Sequence, residues 1–87
     1  MPHELPIDTV LDLHAFAPRD VKSLVEEYLR AASEAGLTEI RLIHGRGTGR
    51  QRAIVQTVLE SHPLVECFWD APESHLGATI ASLKIDA

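Results

Sequence analysis

A chain of 87 residues has room for one small domain and excludes two. Its 45% hydrophobic content excludes a disordered chain, and no apolar run approaches the ~20 residues of a membrane-spanning helix. A formal charge of −5 excludes a uniformly basic nucleic-acid binder, so the distribution of charge matters more than its sum.

Residues 1–7, with Pro2 and Pro6, read as an extended N-terminal arm, and 8–87 as the folded domain. "MPHELPIDTV" lacks the basic start and apolar stretch of a signal peptide. "VLDLH" (10–14) reads as a first strand, with Leu11 and Leu13 on one face and Val10, Asp12 and His14 on the other. "APRD" then opens a helix: Pro18 suits the first turn, and Asp20 suits the positive end of the helix dipole. Val21, Leu24, Val25, Tyr28, Leu29 and Ala32 form one amphipathic stripe, and Gly36 stops the helix.

"EIRLI" (39–43) is a second strand. Residues 50–61 form a second helix, with Ile54, Val58 and Leu59 facing inward, and His62-Pro63 ends it. "VECFW" (65–69) is a third strand, and its lone Cys67 is expected as a buried free thiol. "ATIASLKI" (78–85) is a fourth strand, expected to be weak because its alanines pack little. The order β-α-β-α-β-β predicts a right-handed crossover between the first two parallel strands. Two helices cover one face of a four-stranded sheet, so the fold class is α/β, a two-layer sandwich with an open second face. That open face accounts for Asp12 and Arg41 alternating with aliphatics.

In such units, sites form beyond the carboxyl ends of the strands. His14 and His44 end consecutive strands, whose axes lie ~4.8 Å apart if they pair. Histidine transfers protons near neutral pH. Asp12 is placed to hold the His14 tautomer, to support an imidazolium or to bind a metal; pairing with Arg41 across the strands is the alternative. Between the second strand and second helix, "HGRGTG" spaces Gly45, Gly47 and Gly49 at alternate positions. Such a turn lets an anion approach convergent backbone amides and a helix N-terminus. Arg41, Arg46, Arg50 and Arg52 lie in a stretch without an acid and make up half of the eight Lys and Arg. Arg46, Arg50 and Arg52 offer fork geometry to phosphate. The turn is neither a Walker motif nor GxGxxG, which disfavours a nucleotide site and favours a phosphodiester backbone. No HExxH or CxxC metal motif is present.

These segments resemble the Smr (small MutS-related) domain family. "LDLH" (11–14) matches the family's LDLHG, "IHGRGTG" (43–49) matches its HGxGxG, and "LGATIASL" (76–83) is similar to the end of its third segment. The resemblance runs from about residue 8 to residue 85. It implies the fold of the C-terminal domain of the third bacterial translation initiation factor, a β-α-β-α-β-β sandwich with a mixed four-stranded sheet. It also implies work on DNA or RNA, as a nicking or cleaving endonuclease or as a binding module. Carried over are Asp12 and His14, then His44, Gly45, Arg46, Gly47 and Gly49, with Thr48 inside the turn, and Gly77 and Thr79 from the third segment. Two departures bear on catalysis more than on binding: Ala15 replaces a glycine, and the third segment keeps only Gly77 of its glycine pair.

Three functions follow as expectations. In an endonuclease, Asp12, His14, His44 and Arg46 carry the chemistry, and a divalent ion such as Mg²⁺ or Mn²⁺ stays open. In a non-catalytic module, Arg46, Arg50 and Arg52 grip the backbone with the turn. In an interaction domain, the chain docks on a larger repair or translation assembly. A monomer in the cytoplasm is the expected state.

Overall fold

The computed structural model describes residues 7–45, 47–72 and 77–84. Six elements follow in order: β1 (Val10–Asp12), α1 (Pro18–Glu34), β2 (Glu39–Ile43), α2 (Arg50–Ser61), β3 (Val65–Asp70) and β4 (Ala78–Leu83). The sheet order is β1-β2-β4-β3. β1 and β2 are parallel, and β4 runs antiparallel to both β2 and β3. Three strands therefore point one way, and β4 is threaded between two of them. The ends of β1, β2 and β3 and the start of β4 meet at one edge of the sheet.

Side-chain alternation sorts the sheet into two faces. Leu13, Ile40, Leu42, Ala81 and Leu83 are buried, with Leu11 and Phe68 packed against them, in one core beneath both helices. On the open face, Val10 aligns with Arg41, and Arg41 with Ile80. Val10 and Trp69 stay exposed there.

α1 buries Val21, Val25, Tyr28, Leu29 and Ala32, the stripe read from the sequence. It ends in a Schellman motif: Gly36 N–H donates to Ser33 O, and Leu37 N–H to Ala32 O, each at 3.0 Å. Gly36 has φ +82°, where a side chain would strain the backbone. In α2, Val58 and Leu59 are buried as expected, Val55 joins them, and Ile54 is half-buried.

Three expectations change. β1 stops at Asp12, two residues early, because the Asp12 carboxylate accepts the His14 backbone N–H at 3.0 Å and turns the chain out of the strand. β4 is not a weak strand. It sits inside the sheet, where small alanines let both neighbours and α2 pack close. Cys67 is exposed rather than buried. A bulge between Val65 and Cys67 sets two β3 steps against one β4 step and turns Cys67 to the open face opposite Ser82.

Ile7 packs against the core, and the Tyr28 hydroxyl donates to the Asp8 carbonyl. Burial first, and the Asp8 charge second, push the Tyr28 phenol up to about 12. The fold thus favours the neutral phenol. Its contribution is complete below the free value of ~10 and is lost as pH rises towards 12. Ultraviolet titration of this single tyrosine is expected to show a midpoint near 12 in the native protein and near ~10 in denaturant. A native midpoint near ~10 would contradict the burial of the Tyr28 phenol.

Among the described residues, no helix is long and apolar enough to cross a membrane.

Candidate functional site

The shared strand edge carries a groove of about 420 Å³. The β1–α1 loop forms one wall, with His14 and Pro18. The glycine turn forms the other, from Gly45 through Gly47, Thr48 and Gly49 to Arg50, Gln51 and Arg52. His44 also reaches it, although it is only 5% exposed. A second hollow of about 320 Å³ shares His44, Gly45, Gly49 and Arg52, and adds Asp70 and Gly77.

The two histidines differ in kind. His14 is half-exposed, and its Nδ1 lies 2.5 Å from Asp12 Oδ1. The His14 ring first, and its backbone N–H second, hold the Asp12 carboxyl below the usual carboxylate range. Asp12 therefore stays anionic, orients the ring through Nδ1 and leaves Nε2 to exchange protons. Arg41 is not its partner: it lines a shallow depression on the open face with Thr9, Val10 and Glu39. His44 has both ring nitrogens engaged, Nδ1 with Gly45 O at 3.1 Å and Nε2 with Thr79 Oγ1 at 3.0 Å.

The glycine turn divides its amides. His44 N–H and Gly45 N–H both donate to Gly77 O at 3.1 Å, so neither is offered to a ligand. The first-turn amides of α2 lie further on. Gly49 caps α2 at φ +83° with no side-chain cap. That geometry leaves the first-turn amides of α2 without intrahelical partners. Thr48 Oγ1 accepts the Arg50 N–H at 3.3 Å and keeps its own proton to donate. Gln51 ties the two walls together by donating to the Phe16 carbonyl.

The arginine cluster separates. Arg50 is exposed on the groove. The Arg52 fork is occupied by Asp70, with Nε–Oδ1 at 3.0 Å and Nη2–Oδ2 at 2.8 Å. Arg41 is on the open face, and Arg46 lies outside the described residues. Thr79, expected on the binding face, is fully buried and bonded to His44 and Gln56.

Sequence reading missed Asp70 and Gln56. The Arg52 fork above all, with Gln56 helping, holds the Asp70 carboxyl below its usual range. Gln56 donates to Asp70 Oδ1 and Thr79 Oγ1, each at 3.0 Å. The i, i+4 spacing of Arg52 and Gln56 was the available signal, since it stacks them on one helix face. The end of β3 was the signal for Asp70. The paired Asp12 and Asp70 carboxylates stabilise the fold above the free carboxylate range and lose that contribution as pH falls through their lower folded values.

Among the described residues, the carboxylates at the site are Asp12, whose Oδ1 is engaged by His14, and Asp70, held by the Arg52 fork on the adjoining hollow. Among the described residues, no group of three or more His, Cys, Asp or Glu gathers.

Comparison with known proteins agrees with the geometry. The sequence model of the Smr domain matches residues 11–84. The chain is 35% identical over 83 residues to endonuclease MutS2 of Caldicellulosiruptor saccharolyticus, covering 93% of this chain. It is 40% identical over 76 residues to the putative endonuclease MutS2 of Bacillus subtilis, covering 85% of it. In both cases the match spans 10% of the relative's length. The crystal structure of the Smr domain of Thermus thermophilus MutS2 superposes with a TM-score of 0.80 at 32% identity, covering 86% of this chain and 96% of that one. With its two histidine-bearing segments inside the matched span and its sheet shared with that structure, the chain belongs to the Smr domain family.

Proposed function

We propose that the domain binds DNA or RNA through the phosphodiester backbone and hydrolyses it at His14. The observation that carries this reading is one groove that joins a carboxylate-oriented histidine to the N-terminus of α2 and an exposed arginine. Arg50, the Thr48 hydroxyl and the first-turn amides of α2 hold the phosphate and offset charge developing on it. His14 Nε2 takes a proton from water, and Asp12 supports the imidazolium that results. Arg46 belongs to the same reading by its place in the turn. The names of the MutS2 relatives support the endonuclease class. Their tenfold greater length suggests a module that works alongside other domains. An exposed free thiol at Cys67 fits the reducing cytoplasm.

Binding without cleavage is the second reading. It is favoured by Ala15 beside His14 and by the shortened glycine pair.

Both readings share a test. With about three phosphate contacts, a fourfold rise in salt is expected to lower duplex affinity about 40-fold. Arg50→Ala should reduce the slope of log affinity against log salt by about 1. Titration of a labelled duplex by fluorescence anisotropy measures both, and an affinity indifferent to salt would refute the backbone reading.

A further inference from the structure

Arg52, Asp70, Gln56, Thr79 and His44 form one unbroken hydrogen-bonded row. Chemistry fixes the direction of every bond in it. Asp70 is an anionic acceptor held by the Arg52 fork. The Gln56 atom facing it must therefore be the amide nitrogen. The second N–H of that nitrogen meets Thr79 Oγ1 at 3.0 Å. Thr79 is fully buried, and the acceptor in reach of its own proton is His44 Nε2, also at 3.0 Å. At the other end of the ring, Nδ1 faces the Gly45 carbonyl, which can only accept, so Nδ1 carries the proton.

We propose that Gln56 is a positioning residue that locks His44 in the neutral Nδ1–H tautomer and thereby fixes the glycine turn. The locked ring holds the Gly45 carbonyl, while His44 N–H and Gly45 N–H are both held by Gly77 O. The first peptide of the turn is thus pinned between an oriented imidazole and the start of β4. His44 is a scaffold here, and its proton stays on Nδ1. The consequence for ligand binding rests on the phosphate reading above; the tautomer does not.

The test is ¹⁵N–¹H correlation through the imidazole rings of the uniformly labelled chain, under conditions where the rings are neutral. The His44 signals are assigned by their loss in His44→Asn. The charged groups on elements around His44 are Asp70 and Arg52, with His14 also lining the groove. Wild type should show His44 protonated at Nδ1 and bare at Nε2. Gln56→Leu imposes no direction on Thr79 and should give a mixture of tautomers. Gln56→Glu should reverse the row: Thr79 donates to the new carboxylate and accepts from His44, which puts a proton on Nε2. Both variants should bind a single-stranded oligonucleotide several-fold more weakly, with the His14 signals unmoved. A wild-type His44 protonated at Nε2 overturns the proposal, and so does a Gln56→Leu protein that keeps a pure Nδ1–H tautomer. Should Gln56→Leu fail to fold, Gln56→Glu decides alone: a ring still bare at Nε2 overturns the role of Gln56. Tautomers that behave as stated in a protein without oligonucleotide affinity would support the positioning role and count against the phosphate reading.

Discussion

His14→Asn is expected to lower nicking of supercoiled plasmid by at least about 100-fold while leaving affinity for the same DNA within about twofold. General acid–base catalysis by a positioned side chain contributes roughly 10²–10⁴ in rate, and asparagine cannot take the proton. Affinity should survive because the proposed phosphate grip is elsewhere, on Arg50, Thr48 and the start of α2. Asp12→Asn should cost less, since it loosens the ring without removing it. Parallel reactions with Mg²⁺, Mn²⁺ and chelator show whether an ion enters with the substrate. Wild-type rates from His14→Asn would remove this histidine from the mechanism. A wild type that shifts DNA in a gel and never relaxes it would establish binding without cleavage.

Leu42→Ala is expected to cost about 3 kcal/mol of folding stability, within the 2–5 kcal/mol typical of such truncations. Leu42 is fully buried in β2, two residues before His44, and pairs with Leu11 on one side and Thr79 on the other. For a small domain whose total stability is of order 5–15 kcal/mol, such a loss is a large fraction. Urea unfolding should show a lower midpoint with an unchanged slope. Val10→Ala, on the exposed rim, should cost less than about 1 kcal/mol. Equal losses at both positions would mean that the core does not lie where these burials put it.

Hydrophobic period and turn chemistry made most elements legible. The stripe of α1, the stop at Gly36 and the bounds of β2 and α2 all follow from local sequence. So did the meeting of His14 and His44, because parallel neighbours bring their ends together. What local pattern does not carry is which strands are neighbours. The insertion of β4 between β2 and β3 brings Asp70 to the site and makes Gln56 a bridge, and neither residue belongs to a motif. The Cys67 reversal has the same origin on a smaller scale, since a one-residue bulge inverts every face assignment near it. Thr79 read as a contact residue because it sits in a recognisable segment; the structure buries it against His44, which local pattern does not show.

The placement of β4 also orders the events of folding. β1, α1 and β2 can assemble from contacts close in sequence, but β3 has no partner strand until the segment after it is available. A ribosome releasing this chain therefore exposes a half-sheet with a bare β2 edge until residue 83 emerges. Closure needs pairing across long sequence separations, which is intrinsically slow, and an unpaired edge invites other chains in the meantime. β4, the last of the four described strands, completes the sheet and, through the Gly77 carbonyl at its head, holds the glycine turn in place. Maturation of the site is thereby tied to the emergence of β4.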